Sequence, residues 1–500
     1  MRVMQSRHCL SYGRQQCKHQ SRHVGIQARL FSKQVDAVRF AVRGAIDRKV
    51  ASLQRELSTA GSSKPYSSLI LGHLSNPQAG GREPITYFRQ VLALCNLPKE
   101  AGVDHPNVSK IFPADVVSRA REVQMACGAS GTGAYTHSQG LPSVRAEIAA
   151  FLAARDGHPA SAETIYLVNS TSDGAHLILT MLVDSEDDVV LLPAPGYPGW
   201  ESLVHLLGGT VLPFALSRGT WRVDVGEMER SMAAARMAGK RIRAVMLTNP
   251  SNPSGTVMSA DELVSVAKLC AAEDVCLLVD EVYQEQVYAT SKSFVSAKKA
   301  VLDAGISNLR LFSFHSASKG SWAEGSRRGG YVEAHGLDEH AHAQLYKLKS
   351  AGLCAGVTGQ VALSLLARPP HKGDPSYDVF VAERQRNISS AGDAAAELTK
   401  GLNSIDGIAC PDVEGGDFAF AHVELPPAAA EKASNLGIKS DELYSNSLLD
   451  NFGVSVVPGS AFNAPHDWTG FRIAIPGKDA VDEAVRRIGE HHHWFLQSLA

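Results

Sequence analysis

Among these 500 residues no apolar run approaches the ~18 needed to cross a bilayer, and there is no internal repeat or low-complexity tract. Cysteine is sparse, eight in all, and no two are spaced as a metal-binding pair. Cys270 and Cys276 bracket a helical pattern and are expected in the core. The net charge is only −2, without the basic excess that marks a nucleic-acid binder. The dinucleotide fingerprint GxGxxG is also missing. Gly128-Ala-Ser-Gly-Thr-Gly-Ala-Tyr-Thr-His-Ser-Gln-Gly140 is rich in glycine, but its spacing is wrong and no clear strand precedes it. It is better explained as an active-site loop that presents Tyr135. What remains, at 44% apolar and 20% charged residues, is the composition of a soluble enzyme able to bury a large core.

Acidic residues are absent before Asp36, whereas Arg2, Arg7, Arg14, Lys18, Arg22, Arg29 and Lys33 all fall within the first 35 positions. Scattered serines and the lack of a continuous apolar core distinguish this stretch from a secretory signal. It has the composition of an organellar transit peptide over residues 1–34, with a cleavage point near Arg29-Leu-Phe-Ser32. The expected destination is the mitochondrion, with a basic tail on a cytoplasmic enzyme as the alternative.

Beyond it, Val38, Val42, Ile46, Val50 and Leu53 recur at helical spacing and predict a helix over Asp36–Glu56. Asn76-Pro-Gln-Ala-Gly-Gly-Arg-Glu83 is turn-rich, and an apolar helix follows through Tyr87–Leu94. Between Thr164 and Ala334 strand and helix patterns alternate. Strands are predicted at Ile165–Val168, Asp188–Leu192, Thr210–Pro213, Arg243–Leu247, Val275–Val279, Leu309–Phe314 and Gly330–Glu333. Helices are predicted at Val225–Met237 and Ala260–Ala272. Such alternation implies βαβ units and a largely parallel sheet. A long amphipathic pattern runs from Leu337 toward Leu366 and stops at Pro369-Pro370. A second helix over Tyr377–Leu402 leads to predicted strands at Phe418–Val423, Val454–Val457 and Phe471–Ala474. His491-His492-His493 is expected on the solvated face of a terminal helix.

Four of the predicted strands end in polar turns. These are Asn169-Ser-Thr-Ser-Asp-Gly174, Asn249-Pro-Ser-Asn-Pro-Ser-Gly255, Asp280-Glu-Val-Tyr283 and Ser313-Phe-His-Ser-Ala-Ser-Lys-Gly320. Ligands of open α/β sheets bind at such carboxyl ends. Together the turns carry a lysine, an acid, an asparagine, a tyrosine and clustered hydroxyls, a set suited to pyridoxal phosphate (PLP) held on Lys319. Thr171 and Ser172 open a helix whose amides can bind a phosphate, aided by Ser316 and the Arg328 fork. Asp280, ending a strongly apolar strand, suits the pyridine nitrogen. Asn252 and Tyr283 suit the phenolic oxygen, and Tyr197 can stack on the ring. The displaced lysine amine would then move a proton as general base and acid. Ser316-x-x-Lys319 also matches a β-lactamase tetrad, but the companion Ser-Asp-Asn and Lys-Thr-Gly motifs are absent.

On these residues the chain resembles the class I (fold type I) aminotransferases, the alanine aminotransferases among them, from about Val35 to the C-terminus. The most specific stretches are Pro84-Ile-Thr-Tyr-Phe-Arg-Gln-Val-Leu-Ala-Leu-Cys95, Asp280-Glu-Val-Tyr-Gln284, Ser313–Gly320, Arg328-Gly-Gly-Tyr-Val-Glu333, Gly453-Val-Ser-Val-Val-Pro-Gly-Ser460 and Phe471-Arg472. The resemblance implies an α/β large domain over residues 116–390, with a mostly parallel sheet flanked by helices. It also implies a smaller α+β domain from 391–500 together with an N-terminal arm at 35–115. It implies a homodimer with amino-acid and 2-oxo-acid substrates, and exchange between L-alanine and 2-oxoglutarate. Lys319 would be the Schiff-base lysine and Asp280 the pyridinium partner. Thr171, Ser172, Ser316 and Arg328 would hold phosphate, with Tyr135 reaching across from the second subunit. Tyr197 would stack, Asn252 and Tyr283 would meet the phenolic oxygen, and Arg472 would clamp the substrate α-carboxylate.

The chain departs from the family pattern at Ser170 (usually Gly), Ser326-Arg327 (Gly-Tyr), Gly196 (Gln or Pro) and Gly199-Trp200 (Leu-Tyr). Gly415-Gly416-Asp417-Phe418 replaces Gly-Ala-Met-Tyr. An ionised Asp417 would disfavour dicarboxylates. Three alternatives stay open on sequence: another small acceptor such as glyoxylate, a PLP lyase of the same fold, and a non-catalytic PLP-binding protein. Product analysis separates transamination from the lyase, and a panel of amino donors and keto acceptors addresses the acceptor.

Overall fold

The computed structural model describes residues 32–38, 44–59, 64–128 and 131–499. The predicted transit segment therefore lies outside the described residues except at its last few positions. After β1 (Ile70–Leu71), seven strands form the main sheet: β2 (Ile165–Val168), β3 (Asp188–Ala194), β4 (Thr210–Ala215), β5 (Arg241–Thr248), β6 (Cys276–Asp280), β7 (Leu311–Ser316) and β8 (Gly330–His335). Their order is β2-β8-β7-β6-β5-β3-β4. The pairs among β3 to β7 are parallel, and β8 runs antiparallel to β2 and β7.

Every position of β2, β6 and β7 is buried, because helices cover both faces of the sheet. Alternate residues supply the two layers. Leu191, Val245, Leu277 and Leu311 face one core with Leu263, Val266 and Ala267 of the helix Ala260–Ala272. Val190, Met246, Leu278 and Phe312 face the other, with Ile178 and Leu179 of the helix Thr171–Leu182. Helix starts are locally encoded. Ser259 and Glu262 close a capping box before Ala260–Ala272, and Asp224 accepts from the Glu227 amide ahead of Val225–Met237.

A second sheet joins β9 (Ile408–Ala409), β10 (Phe418–Val423), β12 (Val457–Pro458) and β13 (Gly470–Ala474) in the order β12-β13-β10-β9. The short β1 pairs instead with β11 (Val454–Ser455). Ala419, Ala421, Phe471 and Ile473 face a core with Leu398, Leu448 and Ile488 from the covering helices. The alternate residues, Phe420 among them, pack against the first sheet's helical layer. Arg472 pairs in register with Phe420, so the same alternation points it toward the large sheet.

Several expectations need correction. The helix expected over Asp36–Glu56 is two, Lys33–Ala37 and Ala45–Leu57, with residues 39–43 outside the described part. The pattern from Leu337 to Leu366 breaks into Glu339–Ala351 and Val357–Ala367, because Leu353 adopts a left-handed φ of 60°. Val454–Val457 is two short strands serving different sheets. His491 and His492 are buried, not solvated. They share a helix face with Ile488 and Phe495, and pack edge-on against Tyr444. The helix Tyr377–Asn403 runs unbroken through residue 390, where a domain boundary was expected.

Candidate active site

The predicted site residues collect at the carboxyl ends of the main-sheet strands. β6 ends on Asp280, which is level with Thr248 of β5 and Phe314 of β7. Asp280 is buried, and its Oδ1 accepts from the Val282 amide at 3.2 Å. No cation among the described residues lies within ion-pair distance of it. Burial pushes its carboxyl up to about 7, with Lys319 pulling the other way. A buried acid in that state is poised to ionise when a cation is placed beside it. Lys319 follows β7 by three residues. Burial depresses its amine below the ordinary lysine value, against the pull of Asp417. Its Nζ donates to the Ser75 Oγ at 2.6 Å and to the Ser75 carbonyl at 2.9 Å.

Arg472 closes the site from the second sheet. Only 1% of it is exposed. Its Nη1 donates to Asn252 Oδ1 at 3.1 Å and its Nη2 to the His73 carbonyl at 2.6 Å. Nε has no partner. Its guanidinium lies 3.9 Å over the Phe418 ring and 4.7 Å from that of Phe462. No carboxylate among the described residues pairs with it. Burial lowers its pKa to about 10, partly offset by Tyr283 and Tyr197, so it stays charged at neutral pH. A buried, unpaired guanidinium with an orphan N–H is costly, and a small carboxylate would relieve that cost. Tyr283 is buried beside Phe418 with its phenol held well above the usual value by burial, then by Asp417 and Asp280. Tyr197 packs edge-on against Trp200 at 5.3 Å.

A second cluster lies at the open end. Gly330 pairs with both Val168 and Ser316. A Cβ there would meet the Ser170 backbone at 3.0 Å, so glycine eases this close approach. The start of the helix Thr171–Leu182 is thereby held one strand away from the serine turn after β7. Ser170 caps that helix by accepting from the Asp173 amide, and the amides of Thr171 and Ser172 have no intrahelical acceptor. Ser316 Oγ bonds the Ser318 hydroxyl at 2.5 Å and accepts from its amide at 3.1 Å. Arg328 sits in the left-handed region at φ 57° and is exposed, without an ion pair among the described residues. Hydroxyls, helix-start amides and an unpaired guanidinium are the kinds of group that bind phosphates.

The structure therefore brings together Lys319, Asp280, Tyr283, Asn252, Tyr197 and Arg472 in one cluster, and Thr171, Ser172, Ser316 and Arg328 in the other. Tyr135 joins neither. It is 83% exposed. Four polar residues that the sequence did not single out join the first cluster by hydrogen bonds: His73, Ser75, Arg82 and Gln286. Gln286 and Ser75 both donate to Asp417. The turn-rich stretch before Glu83 was a signal for Arg82, an isolated cation among glycines. Nothing in the chain marked Ser75.

Residues 108–488 match the family model described as aminotransferase class I and II. An alanine aminotransferase 2 of Panicum miliaceum is 36% identical over 91% of this chain and 95% of its own length. Alanine aminotransferase 1 of Homo sapiens is 37% identical over 92% and 93%, and glutamate–glyoxylate aminotransferase 2 of Arabidopsis thaliana 35% over 94% and 96%. Among solved structures, an alanine aminotransferase from Pyrococcus furiosus superposes with a TM-score of 0.72 at 17% identity. That match covers 93% of this chain and all of the other.

Proposed function

The chain belongs to the class I and II aminotransferases, and on that premise we propose that it exchanges the amino group of L-alanine with 2-oxoglutarate, giving pyruvate and L-glutamate. It is a PLP-dependent enzyme, as that family is. The observation that carries the reading is the meeting, at the sheet's carboxyl end, of a lysine with a lowered pKa, a buried aspartate without a paired cation and a buried arginine without a paired carboxylate among the described residues. The alanine and 2-oxoglutarate assignment is supported by the named relatives at 36–37% identity.

The residues present fit PLP at both ends. Lys319 would carry it, Asp280 would sit beside its pyridine nitrogen, and Asn252 and Tyr283 would meet its phenolic oxygen. Tyr197 would cover its ring. Thr171, Ser172, Ser316 and Arg328 would hold its phosphate, with Tyr135 contributed by a second subunit. When bound, PLP supplies the electron sink that lets the substrate Cα–H bond break and takes up the amino group. Arg472 fixes the α-carboxylate through its fork and so orients the Cα–H bond. The Phe418 and Phe462 rings against the guanidinium keep water from that contact. The Lys319 amine would move a proton at the substrate Cα. Its lowered pKa enlarges the neutral share that can accept one.

A second reading, with glyoxylate as acceptor, is favoured by the glutamate–glyoxylate relatives. A panel of amino donors and 2-oxo acceptors on the purified enzyme separates the two. Pyruvate formation from alanine with 2-oxoglutarate is the expected dominant activity, and a clear preference for glyoxylate would replace it. Arg472→Ala should raise KM for every amino acid by ~10- to 100-fold, the worth of hydrogen bonds to a charged group. A fall in kcat alone would contradict the clamp.

Two wider proposals follow. The enzyme acts as a homodimer, supported by the exposure of Tyr135, and sedimentation of the holoenzyme at one chain mass would refute this. It works in the mitochondrial matrix, supported by the acid-free, arginine-rich start and by relatives named mitochondrial. Fluorescent-fusion imaging that leaves it in the cytoplasm would refute that.

A further inference from the structure

Lys319 Nζ donates to Ser75 Oγ at 2.6 Å, and the same hydroxyl donates to Asp417 Oδ2. That carboxylate oxygen itself lies 3.5 Å from Nζ. Asp417 is only 5% exposed, and its Oδ1 accepts from Gln286 Nε2. An amine, a hydroxyl and a buried carboxylate thus form one short chain, drawn from the serine turn after β7, the N-terminal region and the residue before β10. Burial disfavours charge on Asp417, but Lys319, Arg82 and the hydrogen bonds from Ser75 and Gln286 outweigh it, so the carboxyl stays ionised. The other charged groups acting on the amine are Arg82, Arg472 and Asp280. The Tyr283 and Tyr288 phenols facing Asp417 are pushed up by burial and stay neutral. Arg82 lies 3.8 Å from Asp417 Oδ1 and is anchored on the Gly320 carbonyl at 2.6 Å. It offsets the carboxylate's charge, so the exclusion of dicarboxylates expected from Asp417 alone does not follow.

We propose that Asp417 and Ser75 hold a proton on the Lys319 nitrogen once PLP is joined to it, Asp417 as the facing anion and Ser75 as the bridge between them. This rests on the reading that Lys319 carries PLP. Condensation of the amine with the aldehyde expels water and leaves that nitrogen one lone pair, which takes a single proton from solvent. The charge so formed stays on the same lysine stem, within reach of the same hydroxyl and carboxylate, and an opposite charge within ~4–6 Å favours it. Ser75 accepts from the N–H and donates its own hydroxyl to Asp417, so each bond in the chain runs toward the anion. A protonated nitrogen draws electrons from the carbon joined to it and opens that carbon to a neutral substrate amine, alanine or glutamate alike. Arg82 and Arg472 oppose the proton, which leaves Asp417 and its Ser75 bridge to retain it.

The test titrates PLP-loaded wild type and variants by absorbance from acid to alkaline pH, since the PLP–lysine chromophore changes band as its nitrogen gains or loses the proton. Asp417→Asn keeps the side chain's shape and removes the charge, and its midpoint should fall by ~1 to 3 pH units. Ser75→Ala should lower the midpoint by a smaller step. Arg82→Gln should raise it, because a cation opposing the proton is gone. An unmoved midpoint in Asp417→Asn overturns the proposal. So does a shift of the same sign in Asp417→Asn and Arg82→Gln, which is what loosened packing alone would give. A wild-type protein that forms no such chromophore with PLP would overturn the PLP reading itself, and this inference with it.

Discussion

Asp280 and Lys319 are each placed where burial works against their ordinary charge. For Asp280 the effect on stability has a definite sign. Its folded pKa of about 7 is above the unfolded value near 4, so between those pH values the folded apoenzyme holds a proton that the unfolded chain has lost. Stability therefore falls as pH rises through that window, by up to about 4 kcal/mol for the full shift. Asp280→Asn removes this loss. Melting of the apoprotein should show the variant gaining on wild type as pH goes from 5 to 8. With PLP bound the order should invert, because the carboxylate then has a cation to pair with. Parallel melting curves at all pH values would argue that Asp280 is not the buried acid described. At this scale the placement was legible, since an acid ending an apolar strand and a lysine in a serine-rich turn are both visible in the chain. Ser75 and Gln286 were not, because their roles come from contacts with Asp417, 342 and 131 residues away in the chain.

Strands and helices were legible where period and caps agreed. Val225–Met237 and Ala260–Ala272 match their predicted bounds because each follows a side-chain cap, and β10 matches Phe418–Val423. The misses have equally local reasons. A leucine at positive φ splits one amphipathic pattern, and tertiary pairing divides Val454–Pro458 between two sheets. His491 and His492 were judged by residue type, although their spacing from Ile488 and Phe495 already put them on the apolar face. One helix has a direct consequence for the site. In Val357–Ala367, a Cβ on Gly359 would meet the Arg328 carbonyl at 2.2 Å, so this glycine seats the helix against the Arg328 loop. Gly359→Ala should push that loop outward and weaken PLP binding by ~10-fold or more, with a smaller change in amino-acid KM. Titration of apoenzyme with PLP checks this, and unaltered cofactor affinity would mean that Arg328 does not hold the phosphate.

Across the whole molecule, the site is complete only when distant parts of the chain meet. His73, Ser75 and Arg82 come from the N-terminal region, Thr171 to Arg328 from the large sheet, and Asp417 and Arg472 from the small one. The parallel sheet could be foreseen from alternation alone. The docking of the second sheet over its carboxyl edge could not, since it depends on which face of β13 carries Arg472. Bound cofactor spans contacts from several of these segments and should stabilise the assembled form by mass action. All of this turns on one covalent attachment. Borohydride reduction of the PLP-loaded enzyme, followed by tryptic mass mapping, tests it directly. The account predicts a pyridoxyl adduct on Lys319, within an uncut peptide spanning residues 311–327. An unmodified Lys319 peptide, or an adduct fixed on another lysine, would contradict it.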